Sequence, residues 1–235
     1  MKPARHLLLP LLLTAAGLIA WSVQSGRIVV PAEWNPWAPL DIAAPPNALT
    51  PYKLRRAADE PALCRSALSR STLVHTAVPD NDAGDGCGWQ AAVQVGDARF
   101  SPAFTLTCRA ALSLAMWERH SLQPAALVHF GQPVQRVEHL GSYACRNVRG
   151  GAGEGSRRSQ HALANALDIA GFRLGDGRRV RVLNDWPREA TDEAAFLREV
   201  RDGACRYFNA TLSPDYNAAH RDHLHLDQGR FRMCR

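Results

Sequence analysis

The chain has 235 residues, of which 46% are hydrophobic and 21% charged, and its formal net charge is +6. These values are ordinary for a soluble globular domain, and they exclude wholesale disorder, collagen-like repeats and a protein with many membrane spans. Only two of the 28 basic residues are lysines, Lys2 and Lys53, and no run of arginines is dense enough for a nucleic-acid-binding arm. The length allows a well-formed core, and the charge pattern predicts no nucleic-acid partner. We also expect a monomer.

The N-terminus has the pattern of an export signal. Lys2 and Arg5 precede an apolar run from Leu7 to Val23, which lies at the lower limit of length for a membrane-spanning helix. Val23-Gln24-Ser25 is the best cleavage site, and it is a poor one. We therefore interpret residues 1–25 as a retained signal anchor, with a cleaved signal peptide as the alternative. The basic end would be cytoplasmic and the body periplasmic, held at the inner membrane.

Residues 26–58 are rich in proline and have no helical or strand period. Proline favours extended chain, so this segment is predicted to be a linker that holds the domain away from the membrane. The folded domain is predicted over residues 59–235.

The number and spacing of the cysteines are typical of an exported domain. An even number of cysteines in an exported domain, with no C-x-x-C pair, predicts three disulfides rather than a cysteine-ligated metal. Sequence alone leaves fifteen connectivities open. We favour the sequential pairing because it closes the shortest loops, and it joins residues 64 to 87, 108 to 145 and 205 to 234.

Helices and short strands alternate along the domain. A helix is predicted over 61–70, another begins at Ser101-Pro102, and a third is capped by Thr191. Gly175-Asp176-Gly177 is a good hairpin turn between two candidate strands. The fold class is therefore α+β, with a mainly antiparallel sheet flanked by helices. The candidate strands are 72–78, 90–96, 141–146, 167–174, 178–184 and 222–227.

The last third of the chain contains the histidines and the aspartate of a candidate metal site. His161 and Asp168 are seven residues apart, and two histidines with one aspartate are a common ligand set for catalytic zinc. In a continuous helix these two residues would be separated by roughly 10 Å, too far for one ion. The chain must therefore bend, with His161 on a turn and Asp168 on the following strand.

The segment His223-Leu224-His225-Leu226-Asp227 behaves as a strand. Its leucines face the core, while both histidines and Asp227 share the other face, because side chains alternate. One histidine can then bind the metal while the other reaches substrate or water. The histidines at 75, 120, 129 and 139 are interpreted as incidental.

Other motif-like stretches carry no function. Residues 80–86 resemble a calcium loop but lack its glycine and glutamate positions, and 150–155 is glycine-rich without the ending of a phosphate-binding loop. No G-x-S-x-G occurs, so a nucleophile-elbow hydrolase has no support.

The stretch SQHALANALD (159–168) resembles the S-x-H-x-x-G-x-A-x-D motif of zinc D-Ala-D-Ala carboxypeptidases and related LAS-type peptidoglycan peptidases. The H-x-H at 223–225 resembles their second metal motif. Most of the chain, from about Cys64 to Cys234, resembles the bacterial extensin-like C-terminal domain family. The stretches that carry this second resemblance are SYACRNVRG, SQHALANALDIAGF, CRYFN and HRDHLHLD.

The resemblance implies roles for particular residues and an LAS/hedgehog-like core. His161, Asp168 and His225 fall where the peptidases bind one zinc ion, and Arg146 falls where they carry a substrate-facing arginine. The base corresponds either to Asp222, as in the carboxypeptidase branch, or to His223, as in the endopeptidase branch. We favour His223, since strand alternation places it on the metal face. Ala164 replaces the family glycine.

The implied activity is hydrolysis of amide bonds in peptidoglycan peptides by an exported zinc enzyme. Two alternatives stay open. One is a zinc-containing cell-wall-binding or structural module without turnover, since a metal site can contribute folding energy alone. The other is a disulfide-held wall-binding domain without metal.

Overall fold

The computed structural model describes residues 4–149, 155 and 157–235, and the side chains of all of these except residues 4–7 and 20. The chain forms two compact units, Met1–Ala38 and Pro39–Arg235. Lys2 of the predicted signal and most of the glycine-rich stretch 150–155 lie outside the described residues.

The first unit contains one α-helix, α1 (Ala4–Gln24), and a short 3-10 helix at Ala32–Trp34. The helix covers the apolar run of the predicted export signal. Within the described part of the chain, however, no helix combines the length and apolar character needed to cross a membrane.

The second unit begins at Pro39, well before the predicted domain start at residue 59. Leu40 and Ile42 are buried in the core although the chain around them is irregular. Helix α2 (Thr50–Asp59) follows and buries Leu54 on its inner face. Residues 39–58 thus belong to the folded domain, because their apolar side chains complete its core.

The second unit mixes helices and strands, as predicted. Its other α-helices are α3 (Pro61–Leu68), α4 (Cys108–Trp117), α5 (Gln123–Phe130), α6 (Val182–Asp185) and α7 (Asp192–Ala204), with a π-helical turn at Glu118–Leu122 and 3-10 helices at Gln160–Leu163 and Ala218–His220. Its strands are β1 (His75–Ala77), β2 (Asn81–Gly84), β3 (Cys87–Trp89), β4 (Ala92–Val95), β5 (Phe104–Thr107), β6 (Val134–Gly141), β7 (Ala166–Leu174), β8 (Arg179–Arg181), β9 (Ala210–Leu212), β10 (Leu224–Asp227) and β11 (Met233–Cys234).

The strands form three sheets. The central sheet has the order β11-β9-β10-β7-β6, and β8 also pairs with β7. A second sheet has the order β1-β4-β5, and β2 and β3 form a separate hairpin. Every described pairing is antiparallel except that between β11 and β9, so the mainly antiparallel prediction is confirmed.

Helices α4 and α7 pack on one face of the central sheet. The indole of Trp117 is fully buried, and its Nε1–H donates to the Val200 carbonyl on α7 at 2.8 Å. Phe172 of β7 contacts Phe196 of α7 edge to face, with ring centroids 5.3 Å apart. This apolar layer occupies one side of β7 and leaves polar side chains on the other.

The structure confirms most of the predicted elements and corrects two. The helices near 61–70 and after Thr191 are present, as is the hairpin at 175–177. The helix predicted to begin at Ser101-Pro102 is present, but its predicted start is wrong: Phe104–Thr107 forms β5, and the helix, α4, begins at Cys108. The predicted strand at 141–146 is also wrong, since β6 ends at Gly141.

Three disulfides are present, but two of them differ from the sequential pairing. Cys205–Cys234 is confirmed, whereas the other bonds are Cys64–Cys108 and Cys87–Cys145. Cys64–Cys108 joins α3 to the start of α4, and Cys87–Cys145 joins the β2–β3 hairpin to the loop after β6. Loop length alone does not select these partners, because tertiary packing decides which sulfurs meet.

Candidate metal centre

His161 and Asp168 approach each other because the chain bends between them, as predicted. His161 lies on the 3-10 helix Gln160–Leu163, whose N-terminus is capped by the side chain of Ser159. Ala164 then takes a left-handed conformation, with φ of 50°, and ends this helix. The turn returns the chain into β7, where Asp168 points away from the core.

His225 reaches the same place from β10. The register of β10 on β7 sets His225 directly opposite Asp168. Its neighbours Leu224 and Leu226 are fully buried in the core, so His225 faces the opposite side of the sheet. Three residues from two strands and one turn thus converge, as the sequence predicted.

The three side chains form a compact triangle of donor atoms. His225 Nδ1 is 2.9 Å from Asp168 Oδ1 and 3.1 Å from His161 Nε2, and the third edge, His161 Nε2 to Asp168 Oδ1, is 3.2 Å. A tetrahedral ion with bonds of about 2.0–2.1 Å would separate its ligand atoms by roughly 3.3 Å. The triangle therefore needs almost no rearrangement to hold a zinc-sized ion.

Groups behind the triangle fix which nitrogen of each histidine faces it. His161 Nδ1–H donates to the Ser142 carbonyl at 3.0 Å, so Nε2 carries a lone pair and faces the Asp168 carboxylate. His225 Nε2–H donates to Asp227 Oδ2 at 2.9 Å, which leaves Nδ1 for the triangle. Such outer hydrogen bonds are typical of metal-binding histidines. The Nε2 lone pair of His161 and the Asp168 carboxylate are both acceptors and repel each other at this distance, so a proton or a cation must lie near them.

The protonation of the cluster also favours a cation. Burial raises the pKa of the Asp168 carboxyl, but the adjacent imidazoles of His161 and His225 outweigh burial and hold that pKa well below its usual range. Burial lowers the pKa of His225, yet its hydrogen bonds to Asp168 and Asp227 raise it to about 9. Without metal, the His225 ring thus stays protonated at neutral pH, next to the ionised carboxylate of Asp168.

The two residues considered for the base, His223 and Asp222, act as a pair. His223 Nε2 lies 3.6 Å from Asp168 Oδ1, beside the triangle, and its Nδ1 lies 2.8 Å from Asp222 Oδ1. Asp222 is about half exposed, and its described contact is with His223. This geometry gives His223 access to a substrate at the triangle, while Asp222 can orient it.

Arg146 lies on the loop after β6, which is fixed next to the triangle. The Ala144 N–H donates to the His161 carbonyl at 3.1 Å, and the Ser159 N–H donates to the Arg146 carbonyl at 3.1 Å. The disulfide at Cys145 ties the same loop to β3. The positive charge of Arg146 contributes to the lowered pKa of His220, which places it within electrostatic reach of the cluster.

His220 is a member of the cluster to which the sequence assigned no role. Its ring centroid lies 5.3 Å from that of His223 and 5.7 Å from that of His225. Burial, followed by the charges of His225 and His223, lowers its pKa to about 4, so the ring is neutral. Asn217 Oδ1 accepts from the Ala219 N–H and lies 2.7 Å from His220 Nδ1, so Nδ1 is the protonated nitrogen. The spacing H-x-x-H-x-H was the available signal.

The histidines interpreted as incidental lie elsewhere and have other partners. They bond to backbone carbonyls or to a surface glutamate, and none of them belongs to the described triangle. Their partners are the Leu73 carbonyl for His75, the Ile42 carbonyl for His120, the Glu199 carboxylate for His129 and the Pro102 carbonyl for His139.

Comparison with known proteins identifies the class of domain. Residues 62–235 match the family model described as the extensin-like protein C-terminus. The match spans most of the chain and includes the triangle and its supporting loops, and the chain therefore belongs to this family. Searches of curated proteins and of solved structures returned no match.

Proposed function

We propose that this chain is an exported, zinc-dependent hydrolase that cleaves amide bonds in peptidoglycan peptides, as a carboxypeptidase or an endopeptidase acting on D-amino acids. The observation that carries the proposal is the triangle of His161 Nε2, Asp168 Oδ1 and His225 Nδ1, whose edges are 2.9–3.2 Å. Three protein ligands are the usual complement of a catalytic zinc, which keeps one position for water or substrate.

One zinc ion fits the donor set. Two imidazole nitrogens and one carboxylate oxygen suit zinc, and each histidine has the outer hydrogen bond that orients a ligand. When bound there, zinc would supply a Lewis acid for the scissile carbonyl and would lower the pKa of a coordinated water towards 7.

The neighbouring side chains supply the proton transfers and the positioning. His223 Nε2 would accept a proton from the attacking water and deliver it to the leaving amine nitrogen. Asp222 would hold the His223 ring through Nδ1 and stabilise its charged form. The planar guanidinium of Arg146 suits a bidentate pair with a substrate carboxylate.

The sequence motifs support the same assignment. The stretch 159–168 and the H-x-H at 223–225 resemble LAS-type peptidases, and we infer a related core around β7 and β10. The signal-like N-terminus and three disulfides favour a periplasmic location near the inner membrane. The partner would be a peptidoglycan peptide, bound by a monomer.

A zinc-containing wall-binding or structural module is the second candidate. One observation favours it: His223 Nε2 lies only 3.6 Å from Asp168 Oδ1 and would become a fourth ligand after a small shift. Four protein ligands close a site, which is typical of structural zinc.

The test is to incubate the zinc-loaded chain with purified wall fragments and to analyse the products by mass. We expect the chain to release an amino acid or a peptide. The His223→Ala variant should keep zinc and lose hydrolysis, while His129→Ala, outside the cluster, should change neither. Loss of zinc in His223→Ala, with no product from the unaltered chain, would favour the structural module.

A further inference from the structure

The outer face of the central sheet carries an ordered group of arginines. Arg136 on β6 pairs in register with Arg173 on β7, and Arg173 pairs in register with Arg179 on β8. Val180 and Phe172 beside them are buried, so the three arginines point to the opposite, solvent-facing side. They form a row across three strands, with neighbours about 5 Å apart.

A second row lies next to the first. Gly171 on β7 pairs with Glu138 on one side and with Arg181 on the other. A β-carbon at Gly171 would lie 2.6 Å from the Val180 carbonyl, so only glycine fits, and the Arg181 stem lies close above it. The two rows, which we call the arginine face, comprise Arg136, Arg173, Arg179, Arg181 and Glu138.

The charges of the arginine face are not balanced within the described residues. Glu138 contacts Arg179 at 2.7 Å and lies 3.9 Å from Arg173, and it is the only carboxylate paired with these arginines there. The side chains of Arg173 and Arg179 are 43% and 42% exposed, and the Arg173 Nε–H is buried without an acceptor in the described part of the chain. Like charges on directly paired strand positions destabilise a sheet. One carboxylate among four arginines leaves a net positive charge on this surface, which suggests an external anion.

The arginine face is continuous with the metal triangle. Asp168 lies between the core residues Leu167 and Ile169 and therefore points outward. β7 then contains a bulge, because Glu138 pairs with Gly171 whereas His139 pairs with Ile169. Phe172 returns to the same core after the bulge, so positions 171 and 173 again face outward with Asp168. Counted along β7, the two rows lie roughly 10 and 16 Å from the Asp168 position.

We propose that the arginine face binds the carboxylates of an extended acidic wall peptide whose scissile bond lies at the triangle; this inference rests on the proposed function. An extended peptide advances about 3.3 Å per residue, so carboxylates three and five residues from the cleaved bond reach the two rows. The guanidinium fork matches a carboxylate in two parallel hydrogen bonds. Glu138 within the face would repel a densely anionic membrane, which favours a substrate with separated negative charges.

The test compares two variants that lose the same net charge. The first is the triple variant Arg136→Gln, Arg173→Gln, Arg179→Gln, and the second changes exposed arginines elsewhere on the domain, Arg55→Gln, Arg65→Gln and Arg70→Gln. Binding of the intact chain is measured by co-sedimentation with purified peptidoglycan, either native or with its carboxyl groups amidated. The same proteins are tested on vesicles of phosphatidylglycerol, and hydrolysis is followed in parallel.

We expect the first triple variant to bind native peptidoglycan about tenfold more weakly, since each exposed pair contributes modestly. Amidated peptidoglycan should show no such difference, and the second triple variant should bind as the unaltered chain does. Equal binding by both triple variants, or a loss confined to the vesicles, would overturn the inference. Arginine-dependent binding without hydrolysis would overturn the proposed function alone. Hydrolysis with an unchanged KM in the first triple variant would overturn only the role of the arginine face in binding substrate.

Discussion

Asp227 allows a specific test of the triangle as a metal site, because Asp227 contacts only one of the three proposed ligands, the imidazole of His225. Its Oδ2 accepts from His225 Nε2–H at 2.9 Å, and its Oδ1 accepts from the Gly229 N–H at 2.7 Å. The substitution Asp227→Asn keeps the shape and one acceptor oxygen but removes the negative charge. His225 Nδ1 then becomes a weaker ligand, since the carboxylate no longer stabilises positive charge on the ring.

The size of this effect can be bounded from the structure. The carboxylate lies about 5 Å from His225 Nδ1 across the ring, where two unit charges attract by about 3 kcal/mol at an effective dielectric constant near 20. The substitution keeps the group polar, so the loss should be smaller than this limit. Removal of an outer partner typically weakens metal binding by about 10–100-fold, or about 1.4–2.7 kcal/mol.

The assay is a competition titration of zinc between the chain and a chromogenic chelator. Asp215→Asn is the matched control, because Asp215 Oδ1 accepts from the Trp186 ring N–H at 2.8 Å, outside the cluster. We expect Asp227→Asn to lose affinity within the stated range and Asp215→Asn to keep it. Equal zinc affinity in the two variants would show that His225 does not bind the metal through Nδ1.

Three further predictions concern the pKa of His225, one disulfide and one buried hydrogen bond. The pKa of His225 is raised to about 9, and zinc binds only the neutral ring. Zinc uptake at pH 7 should therefore release a proton. Calorimetry in several buffers should show this release, and the affinity for zinc should rise about tenfold per pH unit until pH 9. Replacing Cys87 and Cys145 by serine should lower the free energy of unfolding by about 4 kcal/mol in denaturant titrations, through lost loop closure, and a change below about 1 kcal/mol would contradict this. Trp117→Phe removes the ring N–H that donates to the Val200 carbonyl and should cost about 0.5–1.5 kcal/mol, so an unchanged denaturation midpoint would contradict the assigned hydrogen bond.

The convergence of His161, Asp168 and His225 was predictable because local rules determine it. Alternating leucines at 224 and 226 define the faces of β10, so His225 had to point away from the core. The impossibility of a continuous helix between His161 and Asp168 required a turn, and the structure places that turn at Ala164. These deductions needed no knowledge of distant contacts.

The features that sequence reasoning missed depend on long-range packing. Leu40 is buried by contacts with the core that a proline-rich sequence does not reveal. The partner of Cys87 is chosen by the docking of the β2–β3 hairpin on the loop after β6, and loop length points to a different cysteine. Ser101-Pro102 has the residues of a helix start, but the chain first forms β5, and α4 begins at Cys108. The position of His220 beside His223 and His225 depends on the 3-10 helix at Ala218–His220, and its only sequence signal was the spacing H-x-x-H-x-H.

Zinc K-edge X-ray absorption on the intact, zinc-loaded chain reveals whether His161, Asp168 and His225 bind the ion. This ligand assignment predicts one zinc per chain with two imidazole nitrogens, one carboxylate oxygen and one further light atom at about 2.0–2.1 Å, and an altered spectrum when His161 is replaced by alanine. Failure to take up zinc, or a spectrum that is the same without the imidazole at position 161, would contradict it.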